Sequence, residues 1–135
     1  MELDGNQKST TVRKSLTFTV ELPWPAKELS PNARHHWATA ARAKKAYRSR
    51  CRELGKGQAL ASAKDGAQSV LVSLTFFPPD KRARDWDNLL ASMKSGLDGL
   101  ADAMGIDDSR WRLSFDVSDV PEKGGLVLVT VEVTQ

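Results

Sequence analysis

An α+β fold is predicted for this chain: one domain, a mixed four-stranded sheet and two main helices in the order β-α-β-α-β-β. Three observations predict it. Apolar residues alternate strictly at Leu16, Phe18, Val20, Leu22, and recur at every second position at Trp111, Leu113, Phe115, Val117 and at Val127, Val129, Val131, Val133, which is the period of strands with one buried face. Two longer stretches, 31–54 and 87–104, carry apolar residues at helical spacing instead. Finally, 135 residues suffice for one hydrophobic core and not for two.

Residues 1–14 are polar and without an apolar period, so they are expected to form a mobile tail, leaving 15–135 as the folded domain. The first strand ends at Pro23 and Pro25, because proline cannot donate to a sheet ladder. Ser30 and Pro31 then read as N-cap and first helical residue. In the helix that follows, Ala33, Trp37, Ala40, Ala43, Tyr47, Cys51 and Leu54 share one face, which predicts Trp37 in the core. Gly55 to Gln68 reads as a loop or a frayed helix end.

Residues 68–77 are dense in Val, Leu and Phe and read as a strand buried on at least part of both faces. The second helix places Leu89, Leu90, Met93, Leu97, Leu100 and Met104 on its core face and stops at Gly105. On the shoulder of that face lie Asp87, Lys94 and Asp98. Gly96 and Gly99 lower helix propensity by about 1 kcal/mol each relative to alanine, which points to close packing against another element. The last two strands, joined by a turn over residues 121–125, are expected to form an antiparallel hairpin.

The composition excludes several classes of function. Cys51 is the single cysteine, so neither an intrachain disulfide nor a cysteine zinc site can be built. His35 and His36 are the only histidines and make a poor zinc site without a third nitrogen or sulfur ligand. No glycine-rich phosphate loop and no serine or cysteine nucleophile motif is present. No apolar run is long enough for a membrane helix, and the N-terminus lacks the apolar centre of a signal peptide, so a cytoplasmic protein without a membrane partner is expected.

The net charge of +3 is small, and its distribution matters more than its size. Arg34, Arg42, Lys45, Arg48 and Arg52 line the exposed side of the first helix, where acids are nearly absent. A solvated helix face is the ordinary account of such a ridge, and a phosphate backbone is the other. Lys81, Arg82 and Arg84 form a second basic cluster directly before Asp85 and Asp87. A second acidic pair, Asp107-Asp108, follows the second helix. For one such pair, capping a helix or filling a turn is the better account. Two pairs beside two basic clusters match what Mg²⁺- or Mn²⁺-dependent phosphodiester hydrolysis requires, namely hard oxygen ligands with cations to share the charge.

Five motifs together resemble the RusA-type Holliday junction resolvases of bacteria and their prophages. They are Leu22-Pro23-Trp24-Pro25, Asp85-x-Asp87-Asn88, Leu97-Asp98-Gly99-Leu100, Asp107-Asp108 and Lys123-Gly124-Gly125, in the family's order and spread from about Leu16 onward. The resemblance implies a homodimeric endonuclease of recombination and repair that binds four-way DNA junctions and, with Mg²⁺ or Mn²⁺, cuts two opposed strands symmetrically. It implies Asp85, Asp87 and Asp108 as metal ligands, with Asp107 instead of or alongside Asp108, and a catalytic lysine on the following helix. The chain departs from the family here: the family lysine position is Ala91, and the role passes to Lys94 through a three-residue difference near the helix start. The exposed edge of the hairpin and the Gly96-Gly99 helix are the candidate dimer surfaces. Two other readings stay open, a non-catalytic DNA-binding protein on the same scaffold and a nuclease for another branched DNA.

Overall fold

The computed structural model describes residues 15–34, 36–57 and 67–135. The expected tail over 1–14, His35 and most of the expected loop after Gly57 lie outside the described residues. Strand β1 spans Ser15–Pro23, helix α1 Trp37–Gly57, β2 Ser69–Phe77, α2 Trp86–Ser92, α3 Lys94–Met104, β3 Trp111–Val117 and β4 Leu126–Thr134. The fold is α+β with a mixed four-stranded sheet, as the alternation predicts.

The sheet order is β1-β4-β2-β3. β1 and β2 both run antiparallel to β4, and β3 runs parallel to β2. The expected hairpin is therefore absent: β3 and β4 lie on opposite sides of β2. A parallel β2–β3 pair needs a crossover, which α2 and α3 supply. The eight-residue link over 118–125 is long enough to step across the end of β2, where Ser118 N–H donates to the Phe76 carbonyl at 2.8 Å and Glu122 N–H to that of Pro78 at 2.9 Å. Glycines in the left-handed region, Gly124 at φ 79° and Gly125 at φ 72°, close that link.

One face of the sheet is buried under the helices. Val70, Val72, Leu74, Phe76, Val127, Val129, Val131 and Val133 meet Tyr47, Cys51, Met93, Leu97, Leu100 and Met104 in a single core. Burial pushes the Cys51 thiol up to about 12, so it is a packing group rather than a nucleophile. Burial likewise raises Tyr47, whose hydroxyl donates to the Pro23 carbonyl at 2.6 Å and ties α1 to the end of β1.

Three helical expectations need correction. α1 begins at Trp37, not near Pro31, because the chain at Ser30 makes a turn instead, with Asn32 N–H bonded to Ser30 Oγ at 3.3 Å and Ala33 N–H to the Ser30 carbonyl at 3.0 Å. His36 takes the capping role, its Nδ1 accepting from Ala38 N–H at 3.2 Å. Trp37, at the exposed first turn, is 76% accessible rather than in the core. The second helix is broken in two at Met93. Ser92, the one buried polar side chain among the described residues, donates its hydroxyl to the Asn88 carbonyl at 2.8 Å. That back-bonding competes with the helical ladder and bends it.

Gly96 and Gly99 are used within the chain. A Cβ at Gly96 would stand 2.5 Å from the Tyr47 ring, and one at Gly99 would overlap the Arg48 carbonyl oxygen. Both glycines are the seam between α3 and α1, which removes them as a dimer surface.

Candidate metal and nucleic-acid site

The loop from β2 into α2 is built around Asp80. Its carboxylate accepts the Arg82 backbone N–H at 2.9 Å and lies 3.3 Å from the Arg82 guanidinium and 3.0 Å from that of Arg84. The Arg82 backbone bond first, then its side chain, holds Asp80 down at about 2. Arg84 also sits 5.7 Å over the Trp24 ring, a cation–π contact. Trp24 packs edge-on against Phe76 at 6.1 Å, and a Cβ on Gly125 would come within 2.9 Å of its ring. Trp24, in the motif Leu22 to Pro25, thus touches the motif Lys123 to Gly125 and Arg84, the residue just before Asp85-x-Asp87-Asn88.

The second basic cluster is consequently less open than the sequence implies. Arg82 and Arg84 are both engaged by Asp80, an acid outside the two expected pairs, although its i,i+4 spacing from Arg84 is a visible signal. Lys81 remains exposed.

Asp85 occupies the N-cap position of α2 without capping it through its side chain. It accepts from Asn88 Nδ2 at 3.4 Å and lines a 350 Å³ cleft with Trp24, Arg84, Asn88 and Ser92. Asp87 faces a different cleft of 620 Å³, together with Trp86, Leu90, Lys94, Asp108 and Leu113. There the Lys94 ammonium donates to Asp108 Oδ2 at 2.6 Å and to Asp98 Oδ1 at 3.0 Å. Asp108 first, then Asp98, raises Lys94 above its ordinary value.

Asp107 turns away from this group. Its carboxylate accepts Ser109 N–H at 3.1 Å at the head of the short 3₁₀ turn Asp108–Arg110, and the hydrogen bonds to Ser109 lower it. The structure therefore pairs Lys94 with Asp108, places Asp87 on the same cleft without a contact to either, and leaves Asp85 in a separate cleft and Asp107 in a turn. Among the described residues no group of three or more His, Cys, Asp or Glu side chains is arranged to hold a metal ion. Mg²⁺, however, keeps several waters and takes only one or two carboxylates plus substrate phosphates. Asp87 and Asp108 on one cleft fit that smaller demand.

The basic ridge of α1 is divided by its partners. Arg48 makes a bidentate pair with Asp102 of α3, at 2.8 and 2.9 Å, an acid on a different helix from the ridge. Arg42 donates to Thr39 Oγ1 at 3.4 Å, and Arg34 lies before the helix rather than on it. Arg52 is exposed and near enough to Asp102 to help lower it, after Arg48. Lys45 lines a 710 Å³ cleft with Lys44, Arg48, Ser30, Ala91 and Lys94. Lys44 was missed because its wheel position falls off the ridge. Ala91 and Lys94 line this cleft and the acidic one alike, so the cleft that carries Lys44 and Lys45, with Glu28 and Asp98 also on its wall, shares a border with the one lined by Asp87 and Asp108.

Among the described residues, no helix is long and apolar enough to cross a membrane. No family profile matches the chain. An uncharacterized protein of Xylella fastidiosa (strain Temecula1 / ATCC 700964) is 36% identical over 116 residues, covering 84% of this chain and 74% of that protein. An identity of that level over most of both chains makes them one family, and this chain belongs to the family of that Xylella protein.

Proposed function

We propose that this protein is a Mg²⁺- or Mn²⁺-dependent endodeoxyribonuclease of the RusA type, acting on four-way DNA junctions in the cytoplasm as a homodimer. The observation that carries the reading is the convergence of Asp87, Asp108 and Lys94 on one cleft that borders the cleft carrying Lys44 and Lys45. The motif resemblance adds the substrate class.

In this reading Asp87 and Asp108 would hold the cation, and Asp85, one residue before α2 and on a separate cleft, would join them only by turning its carboxylate away from Asn88. The cation supplies charge neutralisation at the scissile phosphate and activation of a water. Lys94, held beside Asp108, stays protonated at neutral pH and offers its ammonium to the charge that builds on the phosphate oxygens. Lys44 and Lys45 contact backbone phosphates, which positions the strand without reading its sequence. Arg34, Arg42, Arg52 and Lys81 extend that contact, whereas Arg48, Arg82 and Arg84 serve it only by exchanging an internal acid for a phosphate. A junction with two-fold symmetry calls for two such clefts related by a two-fold axis.

The test is cleavage of a synthetic four-way junction with Mg²⁺ and with EDTA, comparing the wild type with Asp87→Asn and Asp108→Asn. The expected result is paired symmetric nicks that need the metal and fall by at least about a hundredfold in either variant, while junction binding survives. Binding without cleavage in the wild type leaves the non-catalytic DNA-binding reading. Equal cutting of flaps or forks leaves a nuclease for another branched DNA.

A further inference from the structure

Strand β3 ends the sheet, and its outer edge has no strand beside it among the described residues. Natural edge strands are usually blunted by proline, lysine or a bulge. The sequence Trp111-Arg112-Leu113-Ser114-Phe115-Asp116-Val117 contains no proline or lysine, and it pairs with β2 residue for residue without a bulge. Leu113 and Phe115, on the helix side, are 41% and 37% exposed. Trp86 stacks on Phe115 with ring centroids 5.5 Å apart and is itself 59% exposed.

We propose that two copies of this chain pair through the β3 edges, antiparallel and centred on Ser114, so that their sheets join with the helices on the same side. Two side-by-side antiparallel strands related by a two-fold axis share faces, so the axis must pass opposite a residue rather than between two. Centred on Ser114, the pairing sets Arg112 opposite Asp116 of the second copy, twice. It also sets Leu113 opposite Phe115 of the second copy, twice, with Ser114 facing itself. Centring on Leu113 instead sets Arg112 opposite Ser114 and Asp116 opposite Arg110, which lies before the strand and already donates to the Ala67 carbonyl at 3.2 Å, and centring on Phe115 sets Asp116 opposite Ser114 and Arg112 opposite Ser118. Within the strand, charge and apolar contact are both self-complementary at one register only.

The backbone agrees with that register. Ser118 N–H points to β2, and alternation along the strand then turns residues 113, 115 and 117 to the outer edge. Leu113 and Phe115 would exchange both main-chain bonds with the second copy, and Arg112 and Asp116 would form the closer, non-hydrogen-bonded pairs. Asp116 Oδ1 accepts Val117 N–H at 2.9 Å, which leaves its other oxygen for the arginine. Trp86, lying over Phe115, would cover Leu113 of the second copy and enlarge a contact that a strand edge alone makes too small for a stable dimer.

This deepens the proposed function by naming the surface that would set two Asp87–Asp108 clefts on one side of a joined sheet. It rests on that reading only for its purpose, since association is measured without cleavage.

The experiment is sedimentation velocity across a concentration series on the wild type, Arg112→Asp, Asp116→Arg and the double swap Arg112→Asp/Asp116→Arg, with circular dichroism confirming that each is folded. Both positions are exposed. The wild type is expected to dimerise. Each single reversal, which places like charges opposite each other twice, should weaken the dimer by about tenfold or more, and the double swap should restore it to within about threefold. A wild type that stays monomeric, single variants as tight as the wild type, or a double swap as weak as the singles would each overturn the proposal. A dimer that responds as expected but cuts no junction would count against the nuclease reading and leave this one standing.

Discussion

β2 and β3 are paired residue for residue and turn their apolar stripes to the same side, yet they end in different surroundings. Val70, Val72, Leu74 and Phe76 are at most 1% exposed, whereas Leu113 and Phe115, in register with Val72 and Leu74, are 41% and 37% exposed. Strand alternation determines which face a side chain takes. It does not determine whether anything covers that face. Here the helical cover is complete over β2 and thins out over β3, and the cleft holding Asp87, Lys94 and Asp108 opens at that uncovered border, with Leu113 as one wall.

The largest test of this difference is a matched pair of truncations. Leu74→Ala should cost about 3 kcal/mol, since it leaves a cavity in a closed core. Leu113→Ala should cost under about 1 kcal/mol, because the side chain is 41% exposed and its truncation leaves no closed cavity. Urea denaturation at concentrations where the chain is monomeric measures both. Equal losses would mean that β3 is covered within a single chain, and the distinction between the two strands would fail.

A smaller effect separates the glycines of the α1–α3 seam from those outside it. Gly99→Ala should destabilise by about 2 kcal/mol through overpacking against the Arg48 backbone, despite the gain of about 1 kcal/mol in helix propensity. A Cβ on Gly57, at the end of α1, would meet nothing within 4 Å, so Gly57→Ala should be neutral or slightly stabilising. A neutral Gly99→Ala would show that the helices can move apart at no cost.

The strands were legible in the sequence because alternation, and for β2 a dense apolar run, are local signals, and all four lie within a residue or two of where those signals placed them. Their order was not legible. A link of eight residues suits either a hairpin or a step across a neighbouring strand, and the choice is made by the α2–α3 crossover, a long-range event. The start of α1 was misplaced because a serine and a proline side by side serve a turn as well as a helix N-terminus. The break at Met93 was hidden in Ser92, whose mid-helix hydroxyl bonds backward only once the residue is buried. At the site, spacing singled out the pairs Asp85-Asp87 and Asp107-Asp108, and the family resemblance singled out Lys94, but the partners that decide which cations remain open could not be named. Asp102 reaches Arg48 from another helix, 54 residues away, and no short window of sequence contains both.

The two exposed bridges across α3 supply the smallest and most discriminating test, because they titrate at opposite ends of the pH scale. Arg48 holds the Asp102 carboxyl below its ordinary value, so this bridge contributes stability above the unfolded carboxylate value, near pH 4, and loses it as pH falls through the folded value. Asp108 and Asp98 hold Lys94 above its ordinary value, so that bridge contributes fully below about pH 10 and loses its contribution as pH rises through the folded value. Both pairs are well exposed and therefore weak. Asp102→Asn should flatten only the acid limb of the stability profile, and Lys94→Met only the alkaline limb, each by an amount near the resolution of a denaturation experiment. If Lys94→Met abolished junction cleavage at pH 8 while leaving stability there nearly unchanged, its ammonium would be serving the substrate rather than the fold. If stability and cleavage fell together, Lys94 would be a strut between α3 and Asp108, and the charge-stabilising role would have to pass to Lys44 or Lys45 across the shared border.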